Sequence, residues 1–223
     1  MTSYAQDDTS KFSDNRFKMV EHQIVRRGIT DKKVLNAIRK VPRHLFVPDD
    51  MVKHAYTDGP LPIGYNQTIS QPYIVALMTE LLKLNGTEKI LEIGTGSGYQ
   101  AAILAEIVNE VYSIEIVEPL AKRAQETIKK MGYENVYIKS GDGFHGWPEH
   151  APFDGIIVTA APREVPAPLI DQLKDNGRLV IPEGEYYQEL RVYIKRDGYL
   201  EKKDIIPVRF VPMTGYIEQR SKQ

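Results

Sequence analysis

From Ser70 towards the C-terminus the apolar positions switch repeatedly between two periods. Ile74, Leu77, Met78, Leu81 and Leu82 recur at helical spacing; Ser70 can cap that helix, Pro72 is tolerated in its first turn and Gly86 stops it. "KILEIG" is then a short, largely apolar run that reads as a strand, and Ala101, Ile103, Leu104 and Ile107 return to helical spacing. "EVYSIEIV" reads as a second strand, and "PLAKRAQETIKKMG" opens on Pro119 and closes on Gly132, the asymmetry of a helix. "NVYIKSGD" and "FDGIIVTAA" supply a third and a fourth strand, and "PLIDQLKDNG" another helix. "RLVIPEG", "ELRVYIKRDG" and the stretch from Tyr199 to Val211 add strands, with Asp197-Gly198 as a hairpin turn.

Strands that are apolar throughout and alternate with helices predict a parallel sheet covered on both faces. The expected fold is α/β: a doubly wound, Rossmann-like, mostly parallel sheet with an antiparallel strand addition near the C-terminus. A ligand belongs at the carboxyl ends of its strands, near the topological switch point. Upstream, Phe17, Val20, Ile24 and Val25 share one face of a helix over residues 14–26 that Gly28 ends. Asp31 to Lys40 makes a second helix with Val34, Leu35 and Ile38 inward, broken by Pro42 and Pro48. Residues 49–70, with Gly59, Pro60, Pro62 and Gly64, read as loop with short strands.

The chain has 223 residues, 29 basic and 30 acidic, and no cysteine. One domain is the natural organisation, and disulfides, thiolate metal sites and a cysteine nucleophile are excluded. His22, His44, His54, His145 and His150 show no metal-ligand spacing, so no metal is expected. No apolar run approaches the roughly 20 residues of a membrane span, and the polar N-terminus with its acids reads as neither signal nor transit peptide. The expected compartment is the cytoplasm. A net charge of −1 argues against extended binding to duplex DNA. Arg26, Arg27, Arg39, Lys40 and Arg43 form a local basic cluster, which reads as solvated helix faces.

The candidate chemistry starts at Gly94-Thr95-Gly96-Ser97-Gly98. A dinucleotide fingerprint needs its third glycine at position 99, which is Tyr, and no G-K-[ST] follows for a P-loop. Glu115 lies about 20 residues on, where an acid accepts hydrogen bonds from ribose hydroxyls; NAD meets that requirement too. Asp142, beside two glycines in "SGDGFHGWP", suits a ligand whose adenine is read by its amino group, and Glu92 suits a cationic one. "LEIGTGSGY", "SIEIVE" and "GDG" together resemble the successive cofactor motifs of the class I S-adenosylmethionine-dependent methyltransferases. That resemblance implies a methyl donor, S-adenosyl-L-methionine, held by Glu92, Gly94, Thr95, Gly96, Gly98, Glu115, Ile116, Asp142 and Gly143.

For the acceptor, strand four ends "VTAAP" without the [N/D]-P-P-[Y/F] sequence of enzymes that grip a flipped base, which disfavours nucleic acid. "QTISQP" at 67–72, "VPRHLFVP" at 41–48, "GDGFHGWPEHAPFDGIIVTAAP" at 141–162 and "RFVPMTG" at 209–215 closely resemble the protein-L-isoaspartate O-methyltransferase family. The likeness runs from about Phe17 to Thr214. One departure is Asn66, where the family usually has glycine; asparagine is the residue that best replaces glycine at positive φ. The resemblance implies transfer of a methyl group to the free α-carboxylate of L-isoaspartyl residues in damaged proteins and peptides, giving the methyl ester and S-adenosyl-L-homocysteine. It implies Ser70 as the active-site residue, Gln67, Ser70 and Val211 on the substrate side, and Thr68, Ile69 and Thr214 against the cofactor. It also implies one methyltransferase domain: an N-terminal extension over 1–70, a cofactor-binding core over 71–198 and a substrate-side segment over 199–223, with a monomer favoured. Three alternatives stand beside it: another acceptor such as a small carboxylic acid or RNA, a binding module without transfer, and NAD-dependent oxidation.

Overall fold

The computed structural model describes residues 10–217; the expected N-terminal extension and C-terminal segment each run beyond them. Helix α1 (Ser10–Met19) passes into a π-helical turn over Val20–Ile24 and a 3-10 turn over Val25–Arg27, and Gly28 ends the run at φ 91°. Met19, Val20 and Ile24 are buried, but Phe17, expected inward, is 58% exposed. The wider π turn takes an extra residue, so the inward face is out of phase with a uniform helix. Arg16 occupies the buried position instead, its Nε donating to Arg39 O at 2.6 Å. Helix α2 (Lys32–Lys40) follows the expected pattern, with Val34, Leu35 and Ile38 buried. The Asp31 carboxylate caps it by accepting from Lys33 N and Val34 N.

Within the basic cluster Arg26, Arg27 and Lys40 are exposed as expected and Arg39 is half-buried, but Arg43 is not on the surface. Arg27 pairs with Asp58, Arg39 with Glu21 and Lys40 with Glu106, while Arg43, in a 3-10 turn over Arg43–Phe46, has 0% exposure. A hairpin of β1 (Leu61–Gly64) and β2 (Gln67–Ile69) turns through Tyr65 at φ 54° and Asn66 at φ 58°. The left-handed turn therefore survives with asparagine. Helix α3 (Pro72–Leu81) has Gln71 at its N-cap, so Ser70 precedes the cap and does not close the helix as expected. Its buried face is Val75, Ala76, Met78, Thr79 and Leu82, with Ile74, Leu77 and Leu81 only partly covered. The helix packs against α2 and the π turn, and those contacts rotate its buried stripe.

The main sheet contains β3 (Lys89–Ile93), β4 (Glu110–Glu115), β5 (Val136–Ser140), β6 (Phe153–Val158), β7 (Leu173–Glu183), β8 (Gln188–Arg196) and β9 (Tyr199–Val208) in the order β5-β4-β3-β6-β7-β8-β9. The first five in that order run parallel; β8 and β9 are antiparallel additions. Helices α4 (Tyr99–Ala105), α5 (Glu118–Lys130) and α6 (Ala167–Asp171) connect the parallel strands. Ile90 faces one apolar cluster and its neighbours Leu91 and Ile93 the other, so the sheet is buried on both sides. Asp197-Gly198 makes the predicted turn, both residues at positive φ. The helix expected over "PLIDQLKDNG" has only five residues. Its remainder belongs to β7: Phe153 pairs with Leu173 and Gly155 with Arg178, so the intervening residues bulge out, with Asn176 at φ 64°. Strand order reverses between β3 and β6, and the ends of those strands define the cleft. Among the described residues no helix is long and apolar enough to cross a membrane.

Candidate active site

The cleft begins where β3 ends. Gly94 turns the chain at φ 94° and donates to Ile114 O at 2.8 Å. Across the switch point, Thr159 follows β6; its Oγ1 donates to Gly94 O at 2.6 Å and its N to Ile93 O at 2.9 Å. A Cβ on Gly94 would lie 2.4 Å from Thr159 Oγ1, so only glycine fits. Gly143, three residues beyond β5, is also confined: a Cβ there would lie 2.3 Å from Ile93 Cγ2.

Glu115 ends β4 beside the glycine loop. Its Oε2 accepts from Gly96 N at 2.7 Å and its Oε1 from Val117 N at 2.9 Å, which fixes the carboxylate and leaves each oxygen a further lone pair. Over the cleft lies the segment after β9. Ala161 N donates to Val211 O and Met213 N to Ala161 O, both at 2.8 Å. Asp142 clips this segment down, accepting Tyr216 N at 2.7 Å through Oδ2 and Phe144 N at 2.9 Å through Oδ1. A Cβ on Gly215 would lie 2.5 Å from Asp142 Oδ2, so the clip needs glycine there.

Two spaces result. A narrow cavity of about 60 Å³ is walled by Gln67, Thr68, Gly94, Gly96, Glu115 and Ile116 on one side. Gly143, Thr159, Val211 and Thr214 also line it, and no cationic side chain is among its described walls. A groove of about 580 Å³ is lined by Thr68, Ser70, Thr159, Phe210 and Val211, with Arg209 the one charged side chain among its described walls. Thr68, Thr159 and Val211 belong to both, so the cavity and the groove share a wall. Ile69, Ser70, Thr95 and Gly96 line a smaller recess joining the acceptor loop to the glycine loop.

Three of the candidate residues stand behind these walls. Gly98, at φ 86°, turns towards α5, where a Cβ would meet Ala124 Cβ at 3.4 Å. Asp142 holds the overlying segment, and Glu92 is wholly buried beneath the loop. The Ser113 hydroxyl donates to Glu92 Oε2 and lies 2.5 Å from Thr95 Oγ1, while Glu92 Oε1 has no hydrogen-bond partner. Burial pushes the Glu92 carboxyl up to about 8; the Ser113 hydrogen bond opposes the rise and the charge of Glu115 adds to it. The folded protein thus holds a proton there that the unfolded chain releases near 4.5, and this group lowers stability as pH rises from about 5 to 8. Glu92→Gln is expected to flatten that part of the stability profile, measured as melting temperature against pH. An unchanged slope would contradict the assignment.

Thr159, Gly215 and Arg43 are the structural contributors that sequence reasoning missed. "VTAAP" offers a signal for Thr159, since a strand end at the switch point faces the ligand, but neither the missing base-gripping motif nor the family resemblance singles that residue out.

Comparison with known proteins agrees with this geometry. The family model for protein-L-isoaspartate(D-aspartate) O-methyltransferase matches residues 14–218. A protein-L-isoaspartate O-methyltransferase of Opitutus terrae is 56% identical over 204 residues, covering 91% of this chain and 88% of that one. Its counterpart in Gloeobacter violaceus is 54% identical over 198 residues, covering 88% and 97%. A solved protein-L-isoaspartate O-methyltransferase superposes with a TM-score of 0.84 at 27% identity, over 95% of this chain and 69% of that one. A structure from Plasmodium falciparum, assigned to the same enzyme type and solved with S-adenosyl-L-homocysteine, gives a TM-score of 0.79 at 28% identity over 90% and 98%. The chain belongs to the protein-L-isoaspartate(D-aspartate) O-methyltransferase family.

Proposed function

We infer that the chain transfers a methyl group from S-adenosyl-L-methionine to the free α-carboxylate of L-isoaspartyl residues in damaged proteins and peptides, releasing S-adenosyl-L-homocysteine. The observation that carries this reading is the shared wall of Thr68, Thr159 and Val211 between a cavity with no cation among its described walls and an open groove. The cavity's donor set fits the cofactor: Glu115 retains lone pairs for ribose hydroxyls, and its charge suits a cationic ligand. A nicotinamide dinucleotide would use that acid at its ribose as well, but its fingerprint needs a third glycine where this chain has Tyr99, buried at the start of α4. Gly94, Gly96, Glu115, Ile116, Gly143 and Thr214 would hold the cofactor directly, with Thr68, Ile69 and Thr95 closing the acceptor side. Gly98, Glu92 and Asp142 would support it from behind. When bound, S-adenosyl-L-methionine supplies an electrophilic methyl group on a positively charged sulfur.

The α-carboxylate, with an ordinary pKa of about 3.5, is already ionised at neutral pH and needs no general base. What remains for the protein is alignment and exclusion of water, worth roughly 7–11 kcal/mol in favourable systems. Gln67, Ser70 and Val211 are the residues we assign to the substrate, Ser70 orienting the carboxylate. A strong cationic clamp on that oxygen would stabilise the ground state and slow attack; the one cation among the groove's described walls, Arg209, is exposed to solvent.

We treat residues 1–223 as one domain, with 1–70 and 199–223 serving the substrate and 71–198 the cofactor. We propose that it acts as a monomer, in the cytoplasm, on protein rather than nucleic acid; the net charge of −1 supports the last point. The chemical nature of the product tests the reading. Label transferred from methyl-labelled S-adenosyl-L-methionine to an isoaspartyl peptide should be released as methanol by mild base, as a carboxyl ester requires. Base-stable label would redirect the reading to a nitrogen acceptor.

A further inference from the structure

Arg43 is a cation in an unusual place. It has 0% exposure, and no carboxylate pairs with it among the described residues. Its Nε donates to Ala55 O and its Nη2 to Ser70 O, both at 2.8 Å. Its guanidinium carbon lies 5.0 Å from the centroid of the Tyr99 ring, and Nη1 has no hydrogen-bond partner. Burial lowers its pKa to about 10, with Tyr99 and Tyr56 opposing, so it stays charged at neutral pH.

A buried charge without a counter-ion is a poor stabilising device, because desolvation offsets much of what its hydrogen bonds contribute. A planar fork of donors is suited to something else: holding two carbonyls and an aromatic face in fixed relation. Both ends of that relation matter here. Ser70 lines the groove, and Tyr99 is the first residue of α4, directly after Gly98 of the glycine loop. Tyr99 is itself buried at 1% exposure and packed edge-on against Phe46, three residues beyond Arg43.

We propose that Arg43 is a positioning residue for methyl transfer, setting Ser70 against the glycine loop by bonding to the main chain of one and stacking on the neighbour of the other. The proposal rests on the methyl-transfer reading above. Arg43 touches neither substrate nor cofactor; it acts through Ser70. Lysine keeps the charge but lacks the planar fork, and methionine keeps much of the apolar stem without charge.

The test is a kinetic split, with Arg43→Lys, Arg43→Met and Tyr99→Leu each assayed well below its own melting temperature. Turnover on an isoaspartyl peptide is expected to fall about 10- to 100-fold in both Arg43 variants and by a smaller factor in Tyr99→Leu. Calorimetric affinity for S-adenosyl-L-homocysteine should stay within about threefold. A purely structural role would lower the melting temperature and leave turnover of the folded protein at the wild-type value, and that result overturns the proposal. Should neither Arg43 variant fold, wild-type turnover in Tyr99→Leu overturns it equally. Wild-type protein that binds the homocysteine yet leaves isoaspartyl peptides unmethylated defeats the functional reading, a failure visible before any variant is made.

Discussion

Gly94→Ala is expected to lower affinity for S-adenosyl-L-homocysteine on the order of 100-fold, with methyl transfer falling below detection at ordinary cofactor concentrations. Two penalties meet at this residue. Its φ of 94° is one that alanine adopts only with strain, and the added Cβ would lie 2.4 Å from Thr159 Oγ1. Thr159 has no long side chain to swing aside, and moving it breaks its hydrogen bonds to Gly94 O and Ile93 O. Strain and displacement together cost about 2–4 kcal/mol, spent where the cavity and the groove share a wall. Isothermal calorimetry gives the affinity, and a thermal melt shows whether the loss stays local. Affinity within threefold of wild type would mean that the loop does not contact the cofactor.

Glu115→Gln is the second large effect, and it separates charge from shape. The carboxylate accepts from Gly96 N and Val117 N, one on each oxygen. Glutamine keeps the volume but presents an NH2 group to one of those N–H donors, leaving a half-buried donor without an acceptor. The same NH2 group cannot accept from a ribose hydroxyl, and loss of a hydrogen bond to a charged acceptor costs about 1.5–3 kcal/mol, so cofactor affinity should fall about 10- to 150-fold. Loss of the negative charge should weaken binding of the cationic methyl donor more than that of neutral S-adenosyl-L-homocysteine. Equal weakening of both ligands would show that Glu115 acts by hydrogen bonding alone.

Much of the site was legible because its parts lie where local pattern is strong. The runs around "KILEIG" and "EVYSIEIV" are buried on both sheet faces, so apolar residues dominate them, and the glycines between them mark a turn. Asn66 was legible through its tolerance of positive φ, which the hairpin uses. The failures share a cause: information held outside the local window. Phe17 is exposed because a π turn sits in its helix, and apolar spacing carries no sign of such a turn. Leu173 fits a helical period, but pairing with Phe153 places it in β7. Thr159 meets Gly94 across 65 residues and Tyr216 meets Asp142 across 74, separations that no periodicity reports. Arg43 was hidden by composition, since a basic residue beside Arg39 and Lys40 reads as surface until the fold shows two carbonyls and a tyrosine ring around it.

The central claim is that the groove accepts an isoaspartyl α-carboxylate and the cavity supplies the methyl group. The direct measurement is transfer of labelled methyl from S-adenosyl-L-methionine to two synthetic peptides, identical except that one carries isoaspartate and the other aspartate, with Ser70→Ala run in parallel. The account predicts label on the isoaspartyl peptide alone, reduced by the substitution. Equal labelling of both peptides, or of neither while the cofactor still binds, would contradict it.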